Sequence, residues 1–372
     1  MKIIHIVENL NKGAVENWLV NTFIESRKLK PDWEWTFYCI LGEVGRLDEK
    51  VRKAGGKIIY APFTVSNKIR FLNSLRKALM AGNYDIIHSH HDYLSGFYLL
   101  ASVGIKFKKR ILHIHNAEKG LPVGNKLIQK LLLKPFKWLA IHFSNQIIGI
   151  SKDTIEHFIG KAKIVNRQAV VLYCGIDLNA FNVEMGSFFL REEFGLSEKA
   201  KFLIFCGHMN RFKNPVFVVD ILNELLKQDK NYHALFAGEG ELTKAVIDKG
   251  EIYGIADKVH LLGWRNDLAA VMKASDVFVF PRVEDPKEGL GLVVIEAQAA
   301  GLPMFISNGI VKDAIEIPEL AHFLRLNDNP SAWAAEIQKT DKKISAAEAL
   351  EKMKISRFSL PIATQNLLDL YA

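Results

Sequence analysis

Short runs of apolar, β-branched and aromatic residues recur along the chain, separated by turn residues and by longer stretches with helical periodicity. In the first half the runs are KIIHIV (2–7), WTFYCI (35–40), KIIYA (57–61), DIIHS (85–89), RILHIH (110–115), QIIGI (146–150) and AVVLY (169–173). In the second half they are KFLIFC (201–206), YHALFA (232–237), KVHLL (258–262), DVFVF (276–280), MFIS (304–307) and HFLR (322–325). Short, strongly apolar runs predict strands buried on both faces. Strands that alternate with helices predict parallel sheets with helices on both sides. Two such series predict an α/β protein of two doubly wound, Rossmann-like domains, over residues 1–180 and 181–355. A linker is expected near 175–195, and an amphipathic terminal helix over 356–372. No repeat of fixed short period and no low-complexity segment is evident.

Composition agrees with two domains. The 372 residues are 49% hydrophobic and 24% charged, which describes a soluble chain long enough for two cores. Cys39, Cys174 and Cys206 sit among apolar neighbours without metal spacing, as expected for core residues in a reducing, cytoplasmic setting. No apolar run reaches the length of a membrane span, and no N-terminal signal is read. Charge is uneven: residues 1–180 carry 27 Lys and Arg against 14 Asp and Glu, and the remainder 22 against 27. An anionic partner is therefore expected on the first half.

The densest chemistry lies between Asp276 and Ser307. A strand stopped by Pro281 leads through a loop containing Gly289, Leu290 and Gly291 into a helix predicted from Leu292 to Ala300, closed by Gly301 and Pro303. Glycines at a helix N-terminus let backbone N–H groups approach an anion where the helix dipole favours it. Glu288 and Glu296 flank this cradle with seven residues between them. A carboxylate beside a phosphate suits a sugar diol better than the phosphate itself. A diphosphate between two sugars, as in a nucleotide-sugar, has that layout. The plain alternative is two solvated glutamates and a turn.

Elsewhere the signals are weaker. Gly13 and Ala14 open a helix after the first strand, but G-x-G-x-x-G is absent, which disfavours a nicotinamide dinucleotide. His88, His90 and His91, then His113 and His115, follow two strands. Their spacing invites zinc, yet a third convergent ligand cannot be read from it, and no metal is assigned. Lys126, Lys130, Lys134 and Lys137 fall within an arc of about 80° on one helix, opposite Leu127, Ile128, Leu131, Leu132, Trp138 and Leu139. That helix fits either an anionic membrane surface or ordinary packing on its own sheet. No nucleic-acid-binding motif accompanies the lysines.

EGLGLVVIEAQAAGLP closely resembles the Glu-x7-Glu signature of retaining GT-B-fold glycosyltransferases of the family 4, group 1 type. GAVENWL is similar to the G-G-[AV]-E segment of those enzymes, with Ala14 in place of the second glycine. HIHN at 113–116 matches a pattern near their interdomain cleft, and VLYCGID at 171–177 their hinge. GHMNRFKN at 207–214 resembles G-R-x-x-x-x-K-[NG], with His208 in the arginine's place. LFAGEGEL at 235–242 and VHLLGWRND at 259–267 resemble their base-binding loops.

The resemblance covers essentially the whole chain. It implies two domains facing each other across a cleft: an acceptor-binding first domain, a nucleotide-sugar-binding second domain, and a terminal helix that crosses back. Glu288, His115 and Lys213 would act on the sugar and diphosphate. Arg211 or His208, Gly289, Leu290, Gly291, Leu292, Glu296, Gly238 and Gly240 would hold the nucleotide-sugar, with Gly13 and Ala14 as an acceptor or phosphate loop. A UDP-sugar donor, a glycan or lipid-linked acceptor, peripheral membrane association and no cofactor or metal are what it implies. A sugar-nucleotide epimerase and a non-catalytic partner on the same fold are the alternatives.

Overall fold

Thirteen strands form two all-parallel sheets among the described residues of the computed structural model, which are 1–11, 13–116, 126–160, 169–183, 189–341 and 344–372. The first sheet contains β1 (Lys2–Val7), β2 (Glu34–Cys39), β3 (Lys57–Tyr60), β4 (Ile86–Ser89), β5 (Lys109–Ile114), β6 (Gln146–Gly149) and β7 (Ala169–Val171), in the order β3-β2-β1-β4-β5-β6-β7. The second contains β8 (Lys201–Cys206), β9 (Tyr232–Ala237), β10 (Val259–Gly263), β11 (Val277–Phe280), β12 (Met304–Ser307) and β13 (Ala321–Leu324), ordered β10-β9-β8-β11-β12-β13. Each predicted run is a strand, with ends within about two residues of the expected ones, as terminal pairing allows. Both sheets reverse strand order beside their first strand, between β1 and β4 and between β8 and β11. In doubly wound sheets ligands bind at the carboxyl ends of such strands.

Two compact units result: Met1–Gly175 with Leu360–Ala372, and Ile176–Ser359. The divisions fall a few residues from the expected 180 and 355. The helix Leu360–Tyr371 belongs to the first unit, where it packs against the helix Ala14–Leu29.

In the first unit, Ile4, Ile6, Tyr38, Ile87, Phe71, Leu75 and Tyr98 form one side of the core, and Leu112, Ile114, Ile147 and Phe158 another. In the second, β8 and β11 bury nearly every side chain, as fully enclosed parallel strands do. The helix Lys126–Phe143 carries Pro135 within it. The side chains of Lys126 and Lys130 lie outside the described residues. Lys134 is exposed, whereas the Lys137 ammonium lies 5.5 Å from the Phe158 ring centroid. Trp138, placed by periodicity on the packing face, is instead exposed, stacked on His142 at 4.7 Å. No described helix is long and apolar enough to cross a membrane.

Candidate functional site

Strand β8 ends at Cys206 and hands the chain to Gly207, whose φ of +132° few other residues adopt. From there to Asn214 the chain forms a tight loop. Asn210 Oδ1 accepts from the amides of Phe212 and Lys213 at 3.0 and 2.9 Å, and Asn214 takes the left-handed conformation ahead of Pro215, the first residue of the next helix. This folding returns Lys213 over the end of the sheet. Its Nζ lies 5.6 Å from the Phe280 ring centroid, at the carboxyl end of β11. A Cβ on Gly207 would come within 2.8 Å of that Nζ, so the glycine leaves the room that the ammonium occupies.

The loop after β9 packs backbone against backbone on this one. Gly207 donates to Ala237 O at 2.9 Å and Met209 to Glu239 O at 2.8 Å. A Cβ on Gly238 would stand 2.3 Å from Gly207 O, and one on Gly240 2.4 Å from Met209 O. Both glycines are thus required by loop packing, whatever binds there. Beside them lies an open groove of about 590 Å³, lined by Gly238, Glu239, Gly240, Thr243, Leu261, Leu262 and Gly263.

The helix Leu292–Ala299 begins at Gly291, whose φ is +81°. Gln298 anchors it, donating to Val294 O and Ala314 O and accepting from the amides of Glu316 and Ile317. The first amides of such a helix have no partner within it and carry the positive end of its dipole. One turn in, Glu296 is only partly exposed, and burial pushes its carboxyl up to about 7 against the opposing pull of the Lys213 charge. Both charges also act on the buried Cys206 thiol, whose pKa is raised chiefly by desolvation. Lys213 thus stands over the carboxyl ends of β8 and β11, and its charge reaches Glu296.

Glu288 sits close to the helix start: a Cβ on Gly291 would lie 3.3 Å from its Cγ. Its amide donates to Gly309 O at 2.8 Å, and its Oε2 lies 3.0 Å from Arg282 Nη1. Arg282 is 3% exposed, donates to Pro286 O at 3.0 Å and stands 5.9 Å from the Phe212 ring centroid. Val283 N–H donates to Phe212 O, which stitches the Glu288 loop to the Lys213 loop. The sequence reading missed Arg282, which holds the Glu288 carboxylate. Its one sequence signal is a basic residue directly after a strand-ending proline.

Of the residues at the arginine position, His208 pairs with Glu241 at 3.3 Å with both side chains largely exposed. Exposed Arg211 rests over Phe212 at 4.7 Å. Gly289 and Leu292 are partly exposed and Leu290 is buried.

In the first unit, Gly13 and Ala14 are exposed at the start of the helix Ala14–Leu29. The histidines form one array. His5 on β1 pairs in register with His88 on β4, and His113 on β5 and His115 just after it keep the same alternation, which places their rings on one face. His5 Nδ1 lies 3.0 Å from His90 Nε2, His90 Nδ1 3.0 Å from His115 Nε2, and His88 Nε2 3.1 Å from His113 Nδ1. His88 Nδ1 lies 2.5 Å from the Tyr371 hydroxyl.

All five rings are buried, and desolvation holds their pKa values far below the ordinary histidine range, His5 and His115 at about 3. Nitrogens of His5, His88 and His90, and of His90, His113 and His115, lie within 4.8 Å of one another. The rings are stacked or tilted, His88 on His90 at 4.2 Å and His113 on His115 at 4.0 Å. In-plane lone pairs of stacked rings run side by side rather than converging, and hydrogen bonds within the array use most of them. His91, grouped with His88 and His90 by spacing, turns away to meet Tyr98 edge-on. The array was legible only in part, because His5 and Tyr371 join it from distant positions. Beside it Asp92, at φ +41°, accepts from the His115 amide and from Asn116 Nδ2, both at 2.8 Å. Burial raises its carboxyl to about 6.

Two parallel sheets of this order make two Rossmann-like domains, the architecture of the GT-B fold. Residues 187–353 match the family model described as glycosyl transferases group 1, and residues 34–180 the one described as glycosyltransferase family 4. The chain belongs to the GT-B-fold glycosyltransferases. It is 25% identical to the capsular polysaccharide biosynthesis glycosyltransferase CapH of Staphylococcus aureus, covering 100% of this chain and 98% of that one. It is also 25% identical to the UDP-Gal:alpha-D-GlcNAc-diphosphoundecaprenol alpha-1,3-galactosyltransferase of Escherichia coli, over 94% of this chain and 92% of the other. Among solved structures, Anabaena Alr3699/HepE in complex with UDP and glucose shares the fold at a TM-score of 0.78 and 17% identity, covering 100% and 99% of the two chains.

Proposed function

We propose that this glycosyltransferase moves a sugar from a UDP-sugar to a glycan or lipid-linked acceptor in polysaccharide assembly, with retention of configuration and without a metal. The observation that carries the reading is Lys213, folded back over the carboxyl ends of β8 and β11, with its charge acting on Glu296 of the helix Leu292–Ala299. Lys213 and the first helix amides provide positive charge where a departing diphosphate gains negative charge, a stabilisation worth most in a site that excludes water. Glu296 accepts from the ribose hydroxyls, and binding in the ionised form draws its proton off. Glu288, held by Arg282, orients the transferred sugar. The groove at Gly238 and Gly240 takes the base.

Donor and acceptor classes are supported by what the relatives' names state for those proteins: UDP-Gal and a diphosphoundecaprenol for one, capsular polysaccharide for the other. The basic first half suits an anionic carrier lipid at the cytoplasmic membrane face.

The test is incubation with a panel of UDP-sugars and lipid-diphosphate acceptors, following UDP release and the anomeric configuration of the product. Transfer with retention, unaffected by a chelator, is expected. An epimerised sugar, or binding without turnover across the panel, would overturn the reading. Retention at low salt on vesicles containing anionic lipid tests the membrane placement.

A further inference from the structure

Residues 50–84, which make β3 and the helix Lys68–Gly82, hold eight Lys and Arg and no Asp or Glu. The cations at the start of this stretch have partners: Arg52 donates to the Tyr60 hydroxyl, Lys53 pairs with Glu49 and Lys57 with Glu34. On the helix, Lys68, Arg70 and Lys77 are exposed, and no carboxylate lies on the same helix. Apolar side chains stand out between these charges. Ile69 is 75% exposed and Met80 58%. At 100° per residue the two lie about 20° apart, on one line about 16 Å long, with Lys68 to one side and Arg70 and Lys77 to the other. At the start of the helix the Arg70 guanidinium lies 5.7 Å from the ring centroid of exposed Phe63. The loop after β2 packs on the loop after β3, since a Cβ on Gly42 would stand 2.5 Å from Ala61 O, and it adds exposed Leu41 and Val44.

An apolar line bordered by cations selects its partner. A second copy of the chain would set cations against cations across a twofold axis. A nucleic-acid backbone would pair with the cations but leave Ile69 and Met80 against phosphate. A bilayer containing anionic lipid suits both: its headgroups meet the cations, and the acyl boundary takes the apolar side chains. We infer that the outer face of the helix Lys68–Gly82, with the loops that hold Phe63 and Val44, is the surface that rests on an anionic membrane. On the other basic amphipathic helix, Lys126–Phe143, Lys137 and Trp138 already have partners in the first unit, Phe158 and His142. The helix Lys68–Gly82 starts beyond the carboxyl end of β3, the side on which a doubly wound sheet receives ligands. A bilayer there presents a lipid-linked acceptor to that rim. The acceptor rests on the function proposed above; the surface does not.

The experiment floats the full chain with phosphatidylcholine vesicles, with and without about one third phosphatidylglycerol, at low and high salt. Retention is expected on the anionic vesicles only, and less at high salt. Ile69→Ser/Met80→Ser and Lys68→Glu/Lys77→Glu should each lower the partition coefficient at least about tenfold, with the melting temperature unchanged. Lys134→Glu/Trp138→Ser, on the other basic helix, should leave it as it is. No retention on anionic vesicles, equal retention on both kinds, or a loss confined to Lys134→Glu/Trp138→Ser would overturn the inference. So would a dimer, seen by light scattering, that Ile69→Ser/Met80→Ser dissolves, or an oligonucleotide held by these cations when vesicles are not. Retention without turnover of any sugar nucleotide would support the surface and refute the transferase reading; turnover of a lipid-linked acceptor without retention would do the reverse.

Discussion

Replacing Glu296 with glutamine separates what the site costs the fold from what it gives to binding. The Glu296 carboxyl is displaced from about 4.5 to about 7 by burial, so the folded chain prefers it protonated. Between those values the native state binds more protons than the unfolded state, and stability falls as pH rises. The penalty is absent below the unfolded pKa, grows from about pH 4.5 and is complete above about 7. At about 1.4 kcal/mol per pH unit it reaches roughly 3 kcal/mol.

Glutamine keeps the shape and never ionises. Glu296→Gln should match the unsubstituted chain near pH 4.5 and exceed it at pH 8, by about 6–12 °C in the melting of the second unit. The assay is thermal unfolding of both proteins, without nucleotide, across that pH range. A difference that is constant with pH, or one that favours the glutamate at pH 8, would refute the reasoning. The same variant should lose nucleotide-sugar affinity, the usual exchange of function for stability.

Lys213→Met removes the charge that opposes this displacement, so it should move the Glu296 window to higher pH and lower kcat about 10²–10³-fold, read from the same melts and from UDP release. Arg282→Met strands the Glu288 carboxylate and should destabilise the second unit by about 1–3 kcal/mol in chemical denaturation, with Arg282→Met/Glu288→Gln recovering part of that loss. Gly238→Ala forces a Cβ to within 2.3 Å of Gly207 O at a φ of +129° and should cost at least about 2 kcal/mol by the same measurement.

Much of this architecture is legible in the chain because parallel strands buried on both faces leave an unbroken apolar run, as KFLIFC and DVFVF do. Glycines with positive φ at Gly291 and Gly301 mark the helix ends equally well. The missing parts are those that only register and loop closure create. Arg282 and Glu288 meet because the loop between them turns back, and nothing in PRVEDPKEG specifies that turn. His5 reaches His90 because β1 lies beside β4, and Tyr371 reaches His88 because the last helix joins the first unit. Spacing placed His91 with its neighbours, but alternation along the chain sends it the other way. Trp138 is exposed although the helical period assigned it to the packing face; stacking on His142 gives its ring a partner at the surface.

Calorimetric titration of UDP and of UDP-sugars into the chain and into Lys213→Met tests most directly whether the second unit grips a nucleotide diphosphate through this ammonium and helix end. The account predicts saturable binding by the unsubstituted chain, weakened at least about tenfold in Lys213→Met and less for uridine, which lacks the diphosphate. Equal binding by the two proteins, or no binding of any uridine nucleotide, would contradict it.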